Sequence, residues 1–227
     1  MIPWVHLDSV TVPDGGGELK LMQRGHEFSI MSGAIELMNS RLSGSEKALA
    51  TLACERLSDR PRAHLLIGGF GMGFTLRAAL EALPPTGQVT VGELVPAVVA
   101  WARGPMAHIS GDCLEDPRLT IVEGDVTALI KGARPGTYDA ILLDVDNGPE
   151  SLSRPANDQL YDGAGLLAAQ RALTPGGILA VWSSAPDDNF TRRLRKAGYL
   201  VEEVKVRATG GKRGARHVIW LATKSAA

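Results

Sequence analysis

Cysteine is almost absent from this chain of 227 residues, Cys54 and Cys113 being its two. Two thiols are too few for a disulfide framework, and neither stands in a CxxC or another metal-ligand spacing, which argues against a stapled secreted scaffold and for a reducing, cytoplasmic setting. Long apolar runs are missing as well. None approaches the ~18 residues of a spanning helix, and Met1 to Asp8 lack a basic segment followed by an apolar one, so neither membrane insertion nor secretion is expected. An excess of one charge is also lacking: 24 Lys and Arg against 25 Asp and Glu leave a net charge of -1, with no overall field to steer the chain toward nucleic acid or an anionic membrane. The five histidines, at positions 6, 26, 64, 108 and 217, show no HxH or i, i+4 spacing, and no metal is expected. No G-x-S-x-G elbow appears, so acyl-transfer hydrolysis is not favoured. The partner left by these exclusions is a small molecule recognised locally, and a homodimer is compatible with them.

What is present suits one α/β domain with short additions. The hydrophobic share is 44% and the charged share 22%, values of an ordinary soluble globular chain large enough for a sizeable core. Residues 1–60 read as an extension. Strand-like alternation at Glu18 to Arg24 and Glu27 to Met31 around Gly25 predicts a small β-hairpin, Ile35 to Met38 a third short strand, and Ala48, Leu49, Leu52, Ala53 and Leu57 a helix. Residues 61–227 alternate apolar strands with helices, the pattern of a doubly wound, mostly parallel sheet covered on both faces. Strands are expected at His64 to Gly68, Gln88 to Gly92, Leu119 to Glu123, Ala140 to Leu143 and Ile178 to Trp182. Helices fall near Phe74 to Leu83, Pro96 to Arg103, Thr127 to Lys131, Leu160 to Leu173 and Asn189 to Ala197. Leu200 to Arg207 and Arg216 to Thr223 are joined too closely for a parallel crossover, so an antiparallel hairpin closes a seven-stranded sheet.

Chemistry concentrates where strands end. Leu65-Leu66-Ile67-Gly68-Gly69-Phe70-Gly71-Met72-Gly73 is an apolar strand running into glycines and then into a helix. Side chains at Gly69, Gly71 and Gly73 would block a ligand's approach to the backbone, and the helix N-terminus offers free N–H groups. A tight turn made for packing is the alternative reading. Glu93 follows the next strand about 20 residues on, where nucleoside-binding folds place an acid on the ribose hydroxyls. Asp125 and Asp144 end the two strands after that. Ligands of open α/β sheets bind outside the carboxyl ends of strands, so these acids face one crevice. A helix N-cap is the ordinary alternative for Asp125. Trp101, Trp182 and Trp220 sit in or beside apolar segments and read as core or interface residues, and Arg207, Lys212, Arg213 and Arg216 read as a solvated hairpin tip.

From the glycine turn to about Trp182 the chain resembles the class I S-adenosylmethionine-dependent methyltransferase fold, and within it the spermidine synthase branch. Leu66-Ile67-Gly68-Gly69 resembles that branch's first motif and Tyr138-Asp139-Ala140-Ile141-Leu142-Leu143-Asp144 its YDVIxxD motif; Leu160-Tyr161 and Leu173 with Pro175-Gly176-Gly177 resemble its LYxxEFY and LxxGG pieces. The resemblance implies S-adenosylmethionine or its decarboxylated form as cofactor, with Gly69, Gly71 and Gly73 under its tail, Glu93 on the ribose, Asp125 at the adenine and Asp144 deprotonating the acceptor. Asp146 and Tyr161 are expected on the substrate side.

Two departures bear on the reaction. The family's first motif usually reads GGGDGG, with an aspartate receiving the aminopropyl end of the decarboxylated cofactor; here Gly71 stands at that place. An anionic side chain there would repel the carboxylate of intact S-adenosylmethionine, so glycine favours the intact form. The family's DSSDPxGP loop is shortened to Asp144-Val145-Asp146-Asn147-Gly148-Pro149, with fewer carboxylates for a polyamine, and Gly44-Ser45-Glu46 stands where the family has YQEM or YHEM. The expectation is a small-molecule transferase that moves a methyl or related alkyl group, with aminopropyl transfer to a polyamine as the alternative and a non-catalytic nucleoside binder as a remoter one. A nicotinamide oxidoreductase would share the glycine turn and Glu93, but it would also call for a substrate domain or a Tyr-x-x-x-Lys pair, neither of which is evident.

Overall fold

A computed structural model describes residues 2–145, 158–209 and 214–226. The first four strands, β1 (Val5–Thr11), β2 (Glu18–Arg24), β3 (Glu27–Ser32) and β4 (Ile35–Asn39), form an antiparallel sheet in that order. This sheet is larger than the hairpin with a third strand read from the sequence. β1 was not legible because it lies at an edge: Val5 and Leu7 are exposed, so its residues carry no buried-face alternation.

The second sheet has seven strands: β5 (His64–Gly68), β6 (Gln88–Glu93), β7 (Leu119–Glu123), β8 (Tyr138–Leu143), β9 (Leu173–Ser183), β10 (Tyr199–Arg207) and β11 (Arg216–Lys224). Their order is β10-β11-β9-β8-β5-β6-β7, parallel from β7 through β9, with β11 antiparallel to β9 and β10 antiparallel to β11. The helices are α1 (Gly44–Glu55), α2 (Phe74–Ala82), α3 (Pro96–Arg103), α4 (Ala107–Ser110), α5 (Val126–Gly132), α6 (Asp158–Tyr161), α7 (Gly163–Ala172) and α8 (Asp188–Lys196). None is long and apolar enough to cross a membrane among the described residues. Pro175-Gly176-Gly177, expected to separate helix from strand, falls inside β9. Tyr138 pairs with Leu173 but Ala140 with Ile178, so the extra residues are accommodated as an irregularity in the ladder.

The central strands bury side chains on both faces, which is why they read as unbroken apolar runs. Leu65, Ile67, Val91, Ala140 and Leu142 pack in one cluster with residues of α1, α2, α3 and the N-terminal sheet. Leu66, Ile141, Leu143, Leu179 and Val181 pack in the other with α5, α7 and α8. The N-terminal sheet is bound to the main body by Phe28 and Ile30 in the first cluster and by Trp101 Nε1, which donates to Asp8 Oδ2 at 2.7 Å. Strand order reverses at β5, whose neighbours β6 and β8 leave in opposite directions along the chain. The ladder also continues past its end, with Gly69 N donating to Gly92 O at 2.9 Å and Asp144 N to Gly68 O at 3.3 Å. The ends of three strands are thereby held around the glycine turn, at the place where open α/β sheets bind ligands.

Trp220 is fully buried in the second cluster, edge-on to Phe190 with ring centroids 5.0 Å apart, and its Nε1 donates to Thr191 Oγ1 at 2.8 Å. Replacing it by Ala is expected to cost about 3–5 kcal/mol, measured as a fall in the urea midpoint of unfolding.

Candidate active site

The three glycines of the turn all hold φ in the left-handed region, at 83° for Gly69, 56° for Gly71 and 79° for Gly73. A Cβ on Gly69 would come 3.3 Å from the carbonyl oxygen of Asp144. One on Gly73, the N-cap of α2, would come 3.1 Å from the ring of Phe70. At Gly69 and Gly73 the backbone conformation and the crowding both favour glycine, whereas at Gly71 a Cβ would meet Met38 Sδ at an ordinary 3.5 Å. The roles then divide. Gly69 and Gly71 line a hollow above the turn, whereas Gly73 serves the turn by starting α2 and is not among that hollow's lining residues.

The hollow is walled on one side by the strand ends, with Glu93, Asp125 and Asp144, and on the other by Leu19, Leu37 and Met38 of the N-terminal sheet. Glu93 is 7% exposed. Its Oε2 accepts from Phe70 N at 2.8 Å and its Oε1 from Val95 N at 2.8 Å. Burial raises its proton affinity, while backbone N–H groups of Val95, Phe70, Gly71 and Leu94 work the other way. Of the about four lone-pair sites of a carboxylate, the Phe70 and Val95 N–H groups occupy one on each oxygen with good geometry. Asp125 caps α5, Oδ1 accepting from Thr127 N at 2.7 Å, and also lines the hollow. Capping the helix does not take it out of the hollow's wall.

A second hollow opens on the other side of Gly71 and Asp144, which line both. Its polar wall includes Ser45, Glu46, Asp144 and His217, with Asn39 and Ser184; Phe70, Phe74 and Trp182 add aromatic surface. Asp144 Oδ2 accepts from Thr75 Oγ1 at 2.8 Å. Burial, and then the like charge of Glu46, push the Asp144 carboxyl up from 3.8 to about 7, against the pull of the Thr75 hydroxyl. Glu46 is raised by burial as well, although Ser45 Oγ donates to its Oε2 at 2.7 Å. The arrangement can hold a cation and exchange a proton with it near neutral pH.

The structure therefore brings Gly69, Gly71, Glu93, Asp125 and Asp144 around connected space. Tyr161 is placed elsewhere: it is 1% exposed, its ring edge-on to Phe190 at 5.6 Å on the far face of the sheet, and it lines neither hollow. Packing overrides the role implied for it by likeness of motif. Asp146 lies outside the described residues, as do Lys212 and Arg213 of the hairpin tip. Sequence reasoning missed Thr75, Trp182 and His217 as site residues. Trp182, expected in a core or an interface, forms part of the second hollow's wall. Glu46 carried a signal in Gly44-Ser45-Glu46, but nothing in one chain says that the start of α1 meets the end of β8.

No family model matches the chain. Among curated proteins it is similar to the polyamine aminopropyltransferase of Mycobacterium tuberculosis, 31% identical over 159 residues that cover 66% of this chain and 29% of that one. It is also similar to putrescine N-methyltransferase 1 of Nicotiana tabacum, 36% identical over 119 residues that cover 52% of this chain and 30% of that one. The chain thus spans less than a third of the length of these relatives. Among solved structures, spermidine synthase from Thermotoga maritima superposes with a TM-score of 0.76 at 17% identity, covering 98% of this chain and 73% of that one. A probable spermidine synthase from Corynebacterium glutamicum gives 0.64 at 14%, covering 96% and 79%. The fold is that of spermidine synthases.

The raised Asp144 carboxyl sets a pH signature. An acid that holds its proton more tightly when folded binds more protons in the native state between its unfolded value of 3.8 and about 7, so its contribution to stability falls as pH rises through that window. Asp144→Asn removes the titration. The variant's stability advantage over the native protein is expected to open between pH 4 and 7 and stay constant above, read from urea midpoints across pH.

Proposed function

We propose that this chain, built on the spermidine synthase fold, is a transferase that uses a sulfonium nucleoside of the S-adenosylmethionine type and alkylates an amine. The observation that carries the reading is the wall shared by the two hollows, in which Gly71, without a side chain, stands with Asp144, whose carboxyl is pushed up to about 7.

The residues fit such a nucleoside. Glu93 stands in the hollow's wall for the ribose hydroxyls, Asp125 at the neighbouring strand end for the adenine amino group, and Gly69 and Gly71 line the space without side chains. When bound, the sulfonium supplies an electrophilic carbon and a neutral thioether leaving group. The protein's work is to place the acceptor nitrogen and to take its proton. An amine enters the second hollow as an ammonium ion, drawn by Glu46 and Asp144; Asp144 removes one proton, and the freed lone pair faces the first hollow across Gly71. No nucleophilic side chain is required.

Intact S-adenosylmethionine, and with it methyl or related alkyl transfer, is favoured because Gly71 removes the anion that would meet its carboxylate. The relatives named as aminopropyltransferases support the second reading, transfer of an aminopropyl group from the decarboxylated form. Calorimetry separates the two. Intact S-adenosylmethionine is expected to bind at least about tenfold more tightly than the decarboxylated form, and Gly71→Asp, at a backbone angle that Asp tolerates and with Met38 Sδ 3.5 Å from the new Cβ, to reverse that order. Much tighter binding of the decarboxylated form by the native chain would overturn the preference. Asp144→Asn is expected to leave cofactor affinity nearly unchanged and to lower turnover by roughly 10²–10⁴-fold, measured by product formation under single-turnover conditions.

A further inference from the structure

Glu46, the second acid of the hollow that Asp144 lines, sits at one end of a hydrogen-bonded chain that the reaction as written does not use. Ser45, fully buried in the first turn of α1, donates through Oγ to Glu46 Oε2 at 2.7 Å, and His217 Nδ1 lies 2.9 Å from the same Oγ. His217 is on β11, half-buried, edge-on to Trp182 with ring centroids 4.8 Å apart, and it lines the second hollow with Glu46 and Asp144. We propose that Ser45 and His217 form a proton path between the Glu46–Asp144 acid pair and solvent. This rests on the reading of the second hollow as the acceptor site.

The chain has two balanced states. With Glu46 ionised, the Ser45 hydroxyl donates to Glu46, and Nδ1–H of His217 donates to Ser45. With Glu46 protonated, its O–H donates to Ser45, the Ser45 hydroxyl donates to a bare Nδ1, and Nε2 of the ring carries the proton. Passage from the second state to the first moves the Glu46 proton to Ser45 Oγ, the Ser45 proton to Nδ1 and the Nε2 proton to water. One proton leaves the site and no heavy atom changes place. A base that has taken a proton from an ammonium ion must return it before the next turnover, and Asp144 is shielded from water by the substrate that it has just deprotonated. Glu46, whose charge Asp144 feels, and the hydroxyl beyond it give the proton another way out.

The path needs an imidazole that is neutral at working pH, since both states use one bare ring nitrogen. Burial holds the His217 ring below the ordinary histidine value, in keeping with that. The charged groups around the path are Glu46 and Lys47 on α1, Asp144 at the end of β8, and Arg207 and Arg216 on β10 and β11. Lys47 lies 6.0 Å from the ring of Phe74, and Arg207 donates to Gly214 O at 2.8 Å. Glu46 is the one that the Ser45 hydrogen bonds join to the ring.

The test reads His217 itself and needs no turnover. In full-length protein with labelled histidine, the His217 ring signals, assigned by their loss in His217→Gln, are followed across pH by NMR in the native chain, Glu46→Gln, Ser45→Ala, the double variant, and Ser45→Thr with and without Glu46→Gln. Glu46→Gln is expected to lower the His217 midpoint by about 0.5 unit or more, and Ser45→Ala to cut that shift to less than about a third. Ser45→Thr, which keeps the hydroxyl, is expected to keep the coupling, and it carries the comparison if Ser45→Ala fails to fold. A Glu46→Gln shift of equal size with and without the hydroxyl, which is what charge acting through space predicts, overturns the proposal; so does no shift at all. In turnover with S-adenosylmethionine and putrescine as probes, His217→Gln is expected to lower kcat about tenfold with KM unchanged and to recover in imidazole buffer. A variant impaired only in structure would not recover, and that outcome also counts against the path. A native chain that turns over neither probe and binds no S-adenosylmethionine would sink the transferase reading, while the NMR coupling would still decide the path.

Discussion

A carboxylate taken out of water must be met by donors or give up its charge, and the site is organised by how unequally its acids are met. Glu93 is answered on both oxygens by backbone N–H groups of the turn and of its own loop. Asp144 receives a hydroxyl hydrogen bond from Thr75 and has a second acid beside it. The well-met acid suits holding a neutral, hydroxyl-rich ligand in place. The poorly met one suits taking and returning a proton. The same functional group, a carboxylate two strands apart in one sheet, thereby meets two different surroundings.

The N-terminal sheet has a part in this that its position in the chain does not suggest. Its inner face joins the core of the main domain through Phe28 and Ile30, and β4 then places Leu37 and Met38 in the walls of both hollows. The chain continues from β4 almost at once into α1, whose first turn carries Ser45 and Glu46. One stretch of roughly ten residues thus supplies apolar wall, relay hydroxyl and second acid. The strand ends and glycine turn of the parallel sheet supply the wall of the first hollow.

How much of this was legible follows from where each signal arises. The parallel strands, the C-terminal hairpin, the glycine turn and the acids at strand ends are local patterns, and β5, β7 and α3 begin and end where periodicity placed them. β1 escaped because an exposed edge strand has no reason to alternate. Tyr161 was carried into the site by likeness of motif and is held instead in the opposite core by packing against Phe190. Thr75 and His217 belong to elements found correctly, yet their roles depend on which helix turn and which strand meet Asp144 and Ser45. That is a fact of tertiary assembly, absent from any window of sequence. The reversal at Pro175 to Gly177 misled for a related reason: a turn signal locates a bend, and an irregular ladder absorbs that bend without ending the strand.

The Thr75 hydroxyl stands in the first turn of α2, two residues after the Gly73 that starts the helix, and donates to Asp144. The helix start that closes the glycine turn is therefore also the support of the donor on Asp144, and the two hollows are braced by one and the same bend of backbone.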